Sequence, residues 1–434
     1  MPTSNSCATT AAPSRPGWLL AVATAATALL GACATTPDSQ TAGRPATEQP
    51  STEAQPLDAA MTSLATALVA RAQLDPSEQR AFVVDPPVDL NTVRHTAATR
   101  EVERRIVNVV GQRFPYMHAS PLSDASLERQ PLMVLSCMTP VVAPGVKRAY
   151  TDEPSPNESP KVYRIWASLS DTRTGKVVSS ETVWVRAEDV DSTPTKFFQD
   201  SPVWAMDHSM KAYLKVCGGK PGDTMDPAYL DGRSASIVVN EATAAYEGGH
   251  YPEALADYNK AVLLPGGDQM RAWNGIYLTD VALGKPQAAE QAFGRMVDAG
   301  LAQGKLAVKF VFRPASAQFW QDRAVSGQYP AWLRQIAERS AARKACLLVL
   351  GHTSPTGTWA ANEVLSERRA QFVRGQIVQR APVLQVRTEA RGRGSSEPLV
   401  GTGKDDVSDA LDRRVEFEPE PCSTLRADRM PGRV

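Results

Sequence analysis

The chain has 434 residues, 42% of them hydrophobic, and its 47 basic and 47 acidic residues cancel. That is enough apolar material for two or three cores, and balanced charge with no basic run excludes an electrostatic nucleic-acid surface. The five histidines, at 95, 118, 208, 250 and 352, form no His-x-x-x-His pair, and neither Cys-x-x-Cys nor Gly-x-Ser-x-Gly occurs. The composition therefore predicts no metal centre, no cofactor and no enzyme.

Residues 1–32 carry a single charge, Arg15, ahead of a largely apolar run from Trp18 to Leu30. That run is too short to cross a bilayer and has the length of a signal-peptide core. Leu30-Gly-Ala-Cys33 resembles the lipobox of bacterial lipoproteins, which implies lipid on Cys33. Ala34, in place of an aspartate, implies sorting to the outer membrane, on its periplasmic face. Residues 33–57 are rich in Thr, Pro, Ala, Gln and Ser without an apolar period, and they predict a disordered tether averaging about 30 Å end to end.

Over 58–220 the pattern predicts an α/β domain. An alanine-rich helix is expected from Asp58, as its cap, to Gln79, followed by a strand at Phe82-Val-Val-Asp85. Thr99–Val110 has helical spacing, Leu132–Cys137 strand character, and Val162–Leu169 with Lys176–Val185 alternates around Asp171-Thr-Arg-Thr-Gly175 as a hairpin. The order resembles the small α/β domain of periplasmic assembly and synthase-activator lipoproteins. Between 235 and 304, Gly249-His-Tyr-Pro-Glu-Ala254 with Tyr258 recurs as Gly284-Lys-Pro-Gln-Ala-Ala289 with Phe293. The recurrence resembles the tetratricopeptide repeat, here as a short all-α helical pair. Two repeats are too few to stand alone, so they should pack on a neighbour.

The last region opens with a predicted strand, Lys305–Phe312, and a helix from Tyr329. Cys346–Leu350 reads as a strand ending at Gly351, before a Thr-, Ser- and Pro-rich turn and a helix starting near Asn362. A polar loop at the C-terminal end of such a strand is where open α/β sheets bind ligands. At 100° per residue Arg369 shares a face with Leu365, Phe372 and Val373. A guanidinium on an apolar face needs an acceptor, either Asp412, Glu367 or Glu416 of the chain itself or an acid of a ligand. Gly392-x-Gly394 lacks the third glycine of a nucleotide cradle.

Gly-His-Thr-x-x-x-Gly from Gly351, Asn362, Leu-Ser-x-x-Arg-Ala at 365–370, Gly-Arg-Gly-Ser-Ser-Glu-Pro at 392–398 and Asp-Arg-Arg-Val-Glu from Asp412 together resemble the OmpA-like peptidoglycan-binding domain. The resemblance spans roughly 305–420 and implies a βαβαββ sandwich over 305–422 with a tail at 423–434. It also implies that Arg369 grips the diaminopimelate end of a stem peptide. Where the family has an aspartate this chain has Ser354, whose neutral hydroxyl bonds about half as strongly as a carboxylate. His352 and Thr353 complete the loop. Asn362 is expected either as helix cap or as a ligand group, and Arg413 and Arg414 either as rim salt bridges or as site residues. With Cys346 opening one strand and Cys422 following the last, the family fold implies neighbouring strands and a Cys346–Cys422 disulfide, which leaves Cys137–Cys217.

The expectation is a multidomain α/β lipoprotein that binds peptidoglycan. The competing reading is an adaptor that recruits an envelope protein through its tetratricopeptide-like and α/β regions.

Overall fold

A computed structural model describes residues 53–141, 162–401 and 408–427. The expected signal segment, Cys33 and the tether up to residue 52 lie outside them. Two mixed sheets organise the described chain. The first contains β1 (Arg80–Val84), β2 (Val88–Asp89), β3 (Met117–Ala119), β4 (Leu132–Val141), β5 (Val162–Asp171) and β6 (Lys176–Arg186), in the order β3-β1-β4-β5-β6 with β2 also on β4.

Alternation along β4 explains its two-sided packing, since successive side chains of a strand point to opposite faces. Leu132, Val134 and Met138 join the core under the helices Leu57–Arg71 and Ala97–Arg113. Met133, Leu135 and Cys137 join the opposite core under His208–Cys217. The Cys137–Cys217 disulfide fastens that helix to the strand. In Ala97–Arg113, Thr96 and Thr99 form a reciprocal capping box, and Val102, Ile106 and Val110 repeat at helical spacing on the buried side. The first helix departs from expectation. It ends at Arg71, and its cap position is Pro56, with Asp58 in the first turn and no side-chain cap.

Two helical hairpins follow, Arg233–Glu247 with Tyr251–Ala261 and Met270–Ala282 with Pro286–Ala302. Both turn on a glycine with left-handed backbone, Gly249 at φ 81° and Gly284 at φ 68°. In each, the amide after the glycine reaches back one turn, His250 to the Ala245 carbonyl and Lys285 to the Asp280 carbonyl, 2.9 and 2.8 Å. This helix stop needs a positive φ that glycine adopts without strain. Ala254, Tyr258, Ala289 and Phe293, the recurring positions, are all buried. Phe293 stacks on Trp332 at 5.3 Å between ring centroids, and Trp332 Nε1 donates to the Tyr277 hydroxyl at 2.9 Å. The second hairpin is thereby joined to the next region, and one continuous core runs from Phe197 to Phe417.

The second sheet has the order β10-β9-β11-β8-β7, with β7 Val203–Trp204, β8 Leu306–Val308, β9 Cys346–Gly351, β10 Thr388–Gly392 and β11 Val415–Glu420. From β8 onward the sequence of elements is βαβαββ, with Tyr329–Ala342 and Trp359–Arg380 as the long helices. The edge strand β7 comes from the segment before the helical hairpins and pairs antiparallel with β8. β8 is shorter than the expected Lys305–Phe312. Beyond Val308 the chain leaves the ladder because Phe310 and Phe312 pack against Phe319, with ring centroids 5.1 and 5.4 Å away. Cys346 and Cys422 are disulfide-bonded. The expected tail instead begins as a helix, Cys422–Ala427, with Leu425 buried.

Candidate functional site

Parallel strands β9 and β10 end side by side at Gly351 and Gly392, which are register partners. A Cβ on Gly351 would stand 2.0 Å from the Ser366 carbonyl oxygen, and one on Gly392 2.7 Å from the Glu363 carbonyl oxygen. The two missing side chains let the helix Trp359–Arg380 lie directly on the strand ends. Ser366 Oγ then accepts the Gly394 amide at 2.9 Å and donates to the Glu363 carbonyl at 2.8 Å. With the helix fixed at that depth, Asn362, Ser366, Arg369 and Val373 form its buried stripe.

Arg369 is 6% exposed. Its guanidinium lies over the Phe312 ring, 4.7 Å from the centroid, and Nε donates to the Ser316 carbonyl at 3.1 Å. The apolar-face position read from the helical projection is therefore real, and the ring supplies part of the favourable environment. Asp412, one candidate internal partner, accepts the Leu399, Val400 and Gly401 amides at 2.7, 2.9 and 2.8 Å. It is the anchor of that loop. Glu416, another candidate, belongs to a separate cluster.

That cluster holds His352 and Arg414. Of the two readings of Arg414, the rim salt bridge fails on burial: the residue is 2% exposed and its Nε donates to Glu416 Oε1 at 2.6 Å. Lys305 Nζ lies 2.8 Å and His352 Nε2 3.4 Å from Glu416 Oε2. Burial alone would raise the Glu416 carboxyl, yet His352, Arg414 and Lys305 outweigh it and hold the group below the usual carboxylate range. Burial keeps His352 below its ordinary value, with Glu416 opposing in part. The sequence spacing that put His352 in the ligand loop thus puts its ring under the sheet end.

Thr353 donates its amide to the Gly394 carbonyl at 2.9 Å, and Ser354 Oγ lies 3.2 Å from Thr356 Oγ1. Asn362 is not the helix cap. Thr358 fills that role with Oγ1 accepting the Ala361 amide at 3.3 Å, and Asn362 Nδ2 donates to the Thr356 carbonyl at 2.9 Å. Asn362 therefore ties the loop to the first helical turn.

Arg369 and Arg413 meet at a cavity of about 290 Å³, lined also by Arg94, Lys309, Phe312 and Asp200. Its described lining does not include Ser354, Thr353 or Asn362. Lys309 and Arg94 had no signal in the sequence, since the first lies in an apolar strand pattern and the second more than two hundred residues away. Burial lowers the Lys309 ammonium to about 7, with Arg94 and Arg413 adding to the shift and Asp200 opposing it.

No protein-family profile matches the chain. Over 80 residues, 17% of the chain, it is 39% identical to outer membrane protein A of Escherichia fergusonii, covering 32% of that protein. Over 72 residues it is 43% identical to outer membrane porin F of Pseudomonas aeruginosa, covering 20% of it. The chain thus spans less than a third of the curated relatives it matches. Among solved structures, the peptidoglycan-associated lipoprotein from Burkholderia pseudomallei is 26% identical with a TM-score of 0.23, the match covering 28% of this chain and 95% of that one. The cell wall anchor of the T6SS from Pseudomonas aeruginosa is 26% identical with a TM-score of 0.22, covering 27% of this chain and 81% of that one.

Proposed function

We propose that this protein binds peptidoglycan noncovalently through its C-terminal sheet and, with lipid on Cys33, links the outer membrane to the cell wall. The supporting observation is Arg369. It occupies the arginine position of the OmpA-like motif and lines a cavity whose walls carry Arg94, Lys309 and Arg413. A guanidinium there takes a carboxylate through charge-assisted, bidentate bonds. Ser354, Thr353, Asn362 and His352 shape the adjoining loop, Arg413 contributes to the cavity wall, and Arg414 holds the sheet end from beneath. The helical hairpins serve as a tetratricopeptide-like pair that braces the binding domain against the N-terminal α/β domain.

The test is co-sedimentation of the full chain, with Cys33→Ser to keep it in solution, on insoluble sacculi. The native chain should pellet. Arg369→Ala should lose about 2 kcal/mol, roughly thirtyfold in affinity, with its melting temperature followed in parallel. Ser354→Asp should tighten binding several-fold by restoring an anionic acceptor for the diaminopimelate ammonium. A native chain that stays in the supernatant at low salt, or an Arg369→Ala chain that pellets equally, sinks the reading.

A further inference from the structure

The cavity beside Arg369 is not built by the C-terminal region alone. The segment containing Lys196–Asp200 and β7 runs along one wall. Lys309 is tied to it twice, through its amide to the Pro202 carbonyl at 2.8 Å and through Nζ to the Gln199 carbonyl. Behind that segment stands Arg94, which lies between β2 and the helix Ala97–Arg113 and donates Nη2 to the Phe198 carbonyl. Arg94 is 5% exposed, and its Nη1 is buried with no hydrogen-bond partner among the described residues.

Asp89 and Asp412 offset part of the Arg94 charge, but a buried donor without an acceptor is costly all the same. The one carboxylate in the described lining, Asp200, already accepts the Tyr246 hydroxyl at 2.7 Å and faces Lys196 Nζ at 3.2 Å. The cavity far exceeds the roughly 15 Å³ that admits a single water.

We propose that Arg94 and Lys309 form a second anion subsite in this cavity, holding a further carboxylate of the stem peptide whose diaminopimelate end is held at Arg369. The inference rests on the peptidoglycan reading above and deepens it. The ligand is a peptide bearing at least two acid groups, and the second subsite is supplied across the junction by a residue of the N-terminal domain. Arg94 and Arg413 disfavour the Lys309 charge and Asp200 favours it, so a carboxylate bound beside them favours its protonated form. Binding therefore takes up protons and weakens as pH rises from 6 to 8.5.

The experiment is a thermodynamic cycle by calorimetry on the full Cys33→Ser chain. The probes are a diaminopimelate-containing tetrapeptide and the same peptide with every acid group outside its diaminopimelate end amidated. Lys309→Gln should weaken the acidic peptide about tenfold and flatten the pH dependence, while leaving the amidated peptide's affinity unchanged. Arg94→Gln should do the same, and Arg94→Lys, which keeps the charge, should recover most of the loss. Equal weakening of both peptides, or no weakening of either, overturns the second subsite. So does inorganic pyrophosphate that displaces the acidic peptide at concentrations below the peptide's own Kd, because the site would then be built for phosphate. A native chain that ignores sacculi points instead to failure of the underlying reading. Sacculus binding that is lost in Arg369→Ala but indifferent to Lys309→Gln and Arg94→Gln sinks this inference alone.

Discussion

Replacing Gly351 by alanine should cost about 3 kcal/mol or more and lower the melting temperature by about 6–12 °C. The new Cβ would lie 2.0 Å from the Ser366 carbonyl oxygen and 2.8 Å from its carbonyl carbon. Both are backbone atoms in mid-helix, so no side chain can swing aside. Relief requires lifting the helix Trp359–Arg380 off the ends of β9 and β10. That movement breaks the Ser366 bond to the Gly394 amide and carries Arg369 away from Phe312. Thermal unfolding followed by circular dichroism reads the effect, and sacculus binding should fall with it. Gly111 is the control, because a Cβ there meets nothing within 4 Å. Gly111→Ala should be neutral or stabilising by up to about 1 kcal/mol. An unaltered melting temperature in Gly351→Ala would mean that the helix does not sit against the strand end.

Glu416→Gln should be comparably severe. The native carboxylate is fully buried and compensates Arg414, itself 2% exposed, together with Lys305 and His352. Removing its charge leaves a buried guanidinium uncompensated, a loss of about 3–5 kcal/mol. The native protein should also show a graded acid response. Burial holds both His352 and His95 below their ordinary value, so the unfolded chain takes up protons first and stability begins to fall as pH drops through about 6.5. Glu416 is likewise depressed. Its contribution is present above the ordinary carboxylate range and is lost as pH falls from about 4.5 toward its lower folded value. Chemical denaturation between pH 7 and pH 3 should show both stages in the native chain, and the second should shrink in Glu416→Gln without vanishing, since Asp171, Asp226 and Glu290 are also held below the ordinary carboxylate range. A native stability that is flat from pH 7 to pH 4 would contradict the buried, neutral state of His352 and His95.

Much of this architecture was legible because it obeys local periodicity. Period-two alternation marked β5 and β6, a run of strand-type residues marked β4, helical spacing marked Val102, Ile106 and Val110, and the 35-residue recurrence marked two helical hairpins that turn on Gly249 and Gly284. The inward position of Arg369 followed from the same projection. What periodicity cannot report is what lies across the contact. Asp412 was a plausible counter-ion by chemistry, yet the backbone geometry of 399–401 gives it three amides. Arg414 stays open between rim and site in the sequence because it precedes β11, and periodicity along that strand says nothing of what covers its start. Asn362 resembled a cap, but Thr358 holds the N-terminal position and the helix starts three residues earlier. β7 was invisible because a two-residue strand has no period, and with it went any view of Arg94 and Lys309 sharing one cavity wall.

The two cystines close covalent rings of 80 and 76 residues' separation, 137 to 217 and 346 to 422. The first ring encloses β5 and β6, and the second encloses β10 and the whole helix bearing Arg369. A backbone cut inside either ring therefore releases nothing, since the fragments stay joined through sulfur. Such a cut would show on a gel only after a thiol reductant is added.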